Sequence, residues 1–517
     1  MTRFLVRTAS VAISMAVLGV GAGRADARAD EERDTESKNM KLVGTNDLQH
    51  RSTYQPVVHK QAVGGKPGYV LYTGHHPIGS NPKTGERLPS RNPLTGLDEP
   101  NGTSIVDVTN PKSPIYLFHL PVGTTGNGGG QMVRVCDGSS LHQANPAADP
   151  NKVYMLRSFA NSAHEIWDVT NPSSPQPVRT VQNKNAVTVD KLGNVQLLSG
   201  THKSWWECDT GIAYVVGRRA SDTAAGWRDG NHIMIYDLSD PKNPKFLRDW
   251  ALDGQQPGGV IPPHFTAVPA IHGPISTGVH GRVYFAYGVG DNGVMQVADR
   301  DALLSTAATD FKSAEIGRWI MQPDNGAHTS WPLGKYSPPD FKVDPGKERD
   351  IVVVVSEATQ HFCSEFRHLT SMVDVTDEER PQSIATFQVP ASSGGFCERG
   401  GRFGPHATNE EFGKPYYQKL IFVSYFNAGV RAVDVRDPYN PKDVGFFIPS
   451  ITQFTDFRCG TLNGVANVCR QVVQTNNVAT ADRGLVYIVD RANTGLHILR
   501  LTGEAARIAG LPAGDDD

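Results

Sequence analysis

Six histidines keep matched places along this chain, and imidazole is the side chain best suited to bind a transition metal near neutral pH. His59, His142, His202 and His272 each stand eleven residues before Val70, Val153, Ala213 and Val283, in the runs YVLYTG, KVYMLRS, IAYVVG and RVYFAYG. His328 and His406 hold the same place before IVVVVSE and LIFVSYF with longer inserts, and Asn476–Asn477 precede LVYIVDR. A polar residue repeated in one register directs its copies at one place in space. The six imidazoles are therefore candidate ligands for a divalent transition metal, copper, iron or zinc; the alternative is hydrogen bonding to channel water and neighbouring strands. An ion takes three or four such ligands, so the remainder would orient ligands or hold a small-molecule ligand.

Other residues near these positions could take part. Trp205 and Trp206 follow His202, and Trp331 follows His328 by three. With Asn476 and Asn477 they are candidates to line a ligand pocket; the alternative for the tryptophans is burial between strands. Glu357 is the candidate general base, since a carboxylate beside a metal can take a proton. Glu410, Glu411, Tyr54 and Arg402 are further candidates. His75, His76 and His361 fall beyond the second strands, in loops at a channel mouth, and read as exposed. Gly288-x-Gly290-x-x-Gly293 has dinucleotide-binding spacing, but a strand rather than a helix follows it. It reads as a hairpin.

The elements that carry these residues repeat as well. SIVDVTNPKSP, EIWDVTNPSSP, MIYDLSDPKNP, SMVDVTDEERP and RAVDVRDPYNP contain Asp107, Asp168, Asp237, Asp374 and Asp434, with a degenerate copy at Asp299 and a truncated one in LHILRLTG. Alternating apolar runs separated by Asn-Pro and Asp-Pro turns are strands. Each repeat reads as a histidine-bearing first strand, a Val/Tyr-rich second, the Val-Asp-Val third and a short fourth. Seven such repeats predict an all-β, seven-bladed β-propeller over residues 41–501. The seventh repeat lacks a fourth strand, and KLVGTNDL at 41–48 is predicted to supply it and close the ring.

The VDVTNPxxP strings, PHATNEE…LIFVSYFNAGVRAVDVRDP, AHTSWPLG…VVVVSEAT and the terminal DRANTGLHIL resemble the LVIVD-repeat family of bacterial cell-surface and secreted propellers. The resemblance covers about residues 41–501. It implies a β-propeller and little about activity.

The totals restrict the class of function. A formal charge of −3 with scattered basic residues excludes a nucleic-acid footprint. Arg3 and Arg7, the apolar run VAISMAVLGVGAG and Ala25-Asp26-Ala27 read as a signal peptide over 1–27. No later run is long enough to span a membrane. The expected location is therefore exported, periplasmic or secreted. Six cysteines suit an oxidising compartment. The expected pairs are Cys459–Cys469, Cys363–Cys397 and Cys136–Cys208, with buried free thiols as the alternative. Residues 502–517 are expected to be a disordered acidic tail. The favoured function is a metal-dependent enzyme, an oxidoreductase or lyase acting on a small molecule. The rival is a non-enzymatic surface propeller that binds a protein or glycan.

Overall fold

The computed structural model describes residues 35–513 except 86–90, 123–128, 182–197, 220, 229, 264, 266, 278–280 and 338–347. The signal segment 1–27, most of the Gly-rich run at 123–130, the bulk of the loops at 181–198 and 333–350, and Asp515–Asp517 lie outside these residues.

Among the described residues the strands pair into a β-propeller of four four-stranded antiparallel sheets, one five-stranded sheet and one nine-stranded sheet, in which two four-stranded units join where Phe426 pairs with Thr475. The innermost strands are Thr53–Val63, Val133–Asp137, Ser204–Trp206, Ile271–Thr277, Ala327–Tyr336, Phe403–Thr408 and Thr475–Thr480. Hydrogen bonds join four pairs of neighbouring inner edges: Gln55 N to Gln131 O, His202 to Gln131, His272 Nδ1 to His328 O, and His406 Nδ1 to Asn476 O. Asn477 Nδ2 to Gln55 Oε1 at 2.9 Å joins the last unit to the first. Met40–Asn46 pairs antiparallel with Leu496–Leu501, from Met40 opposite Leu501 to Asn46 opposite Leu496. The early strand thus completes the seventh unit as its outer edge. A further short strand, Glu36–Lys38, pairs with Lys442–Ile448 in the sixth unit.

Local chemistry accounts for the repeat. The second strands are buried on both faces between neighbouring units, which suits runs such as Ile351–Val355, all fully buried. Five third strands end at Asp107, Asp168, Asp237, Asp374 and Asp434, and each carboxylate accepts the backbone N–H two residues on, at 2.8–3.1 Å. These Asx turns reverse the chain toward the fourth strand. Asp299 instead caps the helix Arg300–Ser305 through Ala302 N. The glycine run at 288–293 is the expected hairpin, with Tyr287 opposite Val294.

The tail expectation needs correction. Gly503–Ala509 is an α-helix that buries Ala505, Ala506, Ile508 and Ala509 against Tyr416, Leu420 and Leu501. Its apolar face outweighs the local polarity, and Gly510, with φ 76°, ends it in the left-handed conformation. The three disulfides join the expected partners, with Cα separations of 5.2, 5.3 and 4.1 Å. Among the described residues no helix is long and apolar enough to cross a membrane.

Candidate metal centre

The site forms where the inner strands break register. Pairing with the second strand slips between Thr53 and Pro56, Ile271 and Gly273, Ala327 and Thr329, Phe403 and Ala407, and Thr475 and Asn477. Such bulges turn a side chain away from the sheet faces. The residues inside them include Tyr54, His272, His328, His406 and Asn476. His202 and Gln131 occupy the corresponding place just before the inner strands of the third and second units.

The imidazoles converge. His202 Nε2 lies 3.0 Å from His272 Nε2, and Tyr54 Oη lies 2.9 Å from His328 Nε2 and 3.3 Å from His202 Nε2. Ring centroids are 4.0 Å apart for His272–His328 and 4.1 Å for His328–His406. Glu357, which follows the second strand of the fifth unit, has an oxygen 3.7 Å from His406 Nε2 and accepts a 2.8 Å bond from Arg402. Ligand atoms of His272, His328 and Glu357 all lie within 4.8 Å of one another. Tyr54, His328 and His406 are buried, while His202 and His272 keep some surface open. The cluster therefore has an open side.

The outward nitrogens decide which atoms face inward. His272 Nδ1 donates to His328 O at 3.0 Å, His406 Nδ1 to Asn476 O at 2.6 Å, and His202 Nδ1 to Gln131 Oε1 at 2.6 Å. His328 Nδ1 meets Thr329 Oγ1 at 2.7 Å, and that hydroxyl also accepts from Lys203 Nζ at 3.0 Å. Holding Nδ1–H on an oxygen leaves the Nε2 lone pair pointing inward, the arrangement that prepares histidine to bind a metal. His202 and His272 then present Nε2 lone pairs beside the Tyr54 oxygen, while the direction of the Thr329 hydroxyl sets the tautomer of His328.

Electrostatics keep the cluster neutral. Burial, then the Lys203 charge, pushes the His202 imidazolium down to about 3. Burial also holds His272, His328 and His406 well below the ordinary histidine range, and holds Tyr54 well above that of a phenol. Lys203 is fully buried and pairs with Glu410 at 2.5 Å, and Arg134 closes on the same carboxylate. Glu410 therefore serves the Lys203 ion pair. Glu411 accepts from Thr480 Oγ1 at 3.1 Å, and burial raises it to about 7.

Several predicted site residues lie elsewhere. His59 pairs directly with Val70 across a tight turn at Gly64 and Gly65 (φ 57° and 78°). In the third unit, by contrast, Trp206 pairs with Ala213, four residues beyond His202. Equal spacing in sequence thus conceals a four-residue slip in space, about 13 Å at 3.3 Å per residue. His59 instead meets Asp137 at 3.0 Å. His142 sits on the helix Gly138–Ala144 with Nδ1 on Ala148 O. Trp206 and Trp331 are buried in the cores between units. Trp205 stacks under the Arg134 guanidinium, 4.4 Å from its ring centroid. Asn476 and Asn477 belong to the ring: Asn476 Nδ2 reaches Thr53 O and Asn477 Oδ1, Asn477 Nδ2 reaches Gln55, and the buried Asn476 Oδ1 has no partner among the described residues.

Residues read as marginal or exposed belong to the site. Tyr54 is at its centre. His75 and His76, expected in exposed loops, are 0% and 7% exposed. His76 Nδ1 accepts from Gln131 Nε2 at 2.9 Å, and its ring packs edge-on to Tyr54 at 5.0 Å. Gln131 was missed because no histidine marks its register. The slipped pairing would have found it and Tyr54 had the count run from the inner end of each second strand.

No protein-family model matches this chain, and no curated protein does. Among solved structures it is similar to a hypothetical selenium-binding protein from Sulfolobus tokodaii, at 14% identity and a TM-score of 0.41, covering 78% of this chain and 88% of that one. It is also similar to the Dos1 propeller, at 10% identity and a TM-score of 0.41, covering 89% and 96% of the two chains.

Proposed function

We propose that this propeller binds one transition-metal ion in its channel through His202, His272 and His328, with Tyr54, His406 and Glu357 around it. The observation that carries the reading is the pair of inward Nε2 atoms of His202 and His272, 3.0 Å apart, whose Nδ1–H groups are already committed to oxygen acceptors. With metal–nitrogen distances of about 2.0–2.1 Å, a nitrogen pair 3.0 Å apart subtends roughly a right angle at an ion. Nitrogen donors with one phenol and one carboxylate favour copper, iron or zinc over magnesium or calcium. Because burial keeps the imidazoles neutral, an ion entering displaces few protons.

The chemistry follows from the same residues. A bound ion would supply Lewis-acid or redox chemistry at the open side beside His202 and His272. Glu357, fixed by Arg402, is placed to hold a proton at Oε1, and Tyr54 to donate one from Oη. This supports an exported metal-dependent enzyme, an oxidoreductase or lyase acting on a small molecule. The three disulfides favour an oxidising compartment. Membership of the LVIVD-repeat family is proposed on the repeated VDV-T-N-P strings alone.

The test is metal content. Elemental mass spectrometry of protein reconstituted separately with copper, iron and zinc should find about one ion per chain, and His272→Ala/His328→Ala should lose it while remaining folded. Failure of the unaltered protein to retain any of the three would overturn the reading.

A further inference from the structure

Near the imidazoles stands a cation whose side chain pairs with none of the described residues. Arg491 follows the second strand of the seventh unit, Leu485–Asp490. Its backbone is pinned: the carbonyl accepts from Ser52 Oγ at 2.7 Å and Arg458 Nη2 at 3.1 Å, and its N–H donates to Gln474 O. Ser52 is two residues from Tyr54, so the pinning ties Arg491 to the cluster. Among the described residues its guanidinium makes no hydrogen bond, ion pair or ring contact. The neighbouring charges are already matched, Arg402 by Glu357 and Arg458 by Asp456. The Asp490 carboxylate accepts from the backbone of Gln474 and Ala492. Of these three guanidinium groups, that of Arg491 is the one no described carboxylate contacts.

A second unmatched donor is tied to the same anchor, since Ser52 O accepts from His76 N at 2.9 Å while Ser52 Oγ donates to Arg491 O. Gln131, as it lies, accepts from His202 Nδ1 through Oε1 and donates to His76 Nδ1 through Nε2. That places the His76 proton on Nε2, an atom that is buried and has no partner. The strongest charge acting on both His76 and His406 is that of Arg491. Burial and the charge of Arg402 push the Arg491 guanidinium itself down to about 9. The buried Nε2–H of His76 is costly unless an acceptor completes it, and the half-buried Arg491 guanidinium has no acceptor of its own among the described residues.

We propose that these groups form a binding site for the carboxylate of a small organic acid, held by the Arg491 guanidinium and the His76 Nε2–H. This rests on the reading of the imidazole cluster as the reacting centre, and it gives the substrate class: a monocarboxylate whose remaining atoms face the open side of His202 and His272. One free guanidinium and one N–H match a single planar carboxylate, which accepts two bonds side by side. A phosphate dianion would leave charge unmatched.

Fluorine NMR of trifluoroacetate, with trifluoroacetamide as its neutral counterpart, tests this on the full chain before and after zinc loading. The acid should bind at least tenfold more tightly than the amide. Arg491→Gln should remove that preference with zinc uptake unchanged, and Arg491→Lys should keep part of it. Equal binding of acid and amide to the unaltered protein overturns the proposal whether or not the variants fold, as does an undiminished preference in a folded Arg491→Gln. Zinc uptake without acid preference refutes the carboxylate site and leaves the metal reading intact. An Arg491-dependent preference in a chain that takes up no metal supports the carboxylate site and refutes the metal reading.

Discussion

Metal binding at the imidazole cluster should appear as a small, definite thermal stabilisation. An ion that binds only the folded chain stabilises it by about 2.7 kcal/mol when free metal is a hundredfold above its dissociation constant. The unit that unfolds runs from Arg33 to Asp517. For roughly 480 residues, at about 2.1 cal/mol/K each, the unfolding entropy is about 1 kcal/mol/K. The expected rise in Tm is therefore about 3 °C, reaching about 4 °C at a thousandfold excess. Scanning calorimetry of chelator-treated protein, titrated with zinc at pH 7, measures it. His272→Ala/His328→Ala removes two of three inward nitrogens and should show no metal-dependent rise. The strand ladders of the fourth and fifth units do not depend on these imidazoles, so the metal-free variant should still unfold in one transition. A Tm that ignores zinc in the unaltered protein, or rises equally in the double variant, would refute the assignment of these nitrogens as ligands.

Three other outcomes follow from the fold. Burial lowers His497 to about 4, below an unfolded value of about 6.5. Its contribution is thus fully present above pH 6.5 and falls by about 3 kcal/mol as pH drops toward 4; His497→Gln should flatten the urea-measured stability over that interval. Cys136–Cys208 closes 72 residues and Cys459–Cys469 closes 10, so replacing each pair with serine should cost about 4 and about 3 kcal/mol respectively by chain entropy; denaturant unfolding that ranks them in the opposite order counts against that account. Removing residues up to Asn46 should expose Leu496–Leu501 as a bare sheet edge and cause aggregation, and light scattering showing an unchanged monomer would contradict the closure role of this strand.

The repeat was legible because its signals are local. Val-Asp-Val followed by Asn-Pro fixes a strand end and an Asx turn within six residues, and this recurs whatever surrounds it. The outer strand at Met40–Asn46 was legible for a different reason: the last repeat lacks a partner and the first segment has one to spare. The site was half legible. His202, His272, His328 and His406 were found because all four units carry histidine at the inner-strand break. His59 and His142 were included because spacing was counted through hairpins of unequal length. The tight Gly64–Gly65 turn in the first unit and the Gly138–Ala144 helix in the second each move the eleventh residue off the ring. His76 and Arg491 lie on segments leaving second strands, where the repeat gives no register at all.

That distribution bears on how a symmetric fold acquires a directed site. The ring positions read Tyr54, Gln131, His202, His272, His328, His406 and Asn476 in chain order, so the four imidazoles occupy consecutive units and the other three positions carry no imidazole. Asn476 secures His406 through its carbonyl, and Gln131 secures His202 and His76 through its amide. Tyr54 points across the channel to His202 and His328. Units three to six thus supply the nitrogens. Units seven, one and two supply Arg491, Tyr54, His76 and the amide that sets two tautomers. Any ligand admitted between these two halves meets lone pairs on one side and hydrogen-bond donors on the other. That polarity, which no single repeat encodes, is what would orient an organic acid with its carboxylate away from a metal and its reacting carbon toward it.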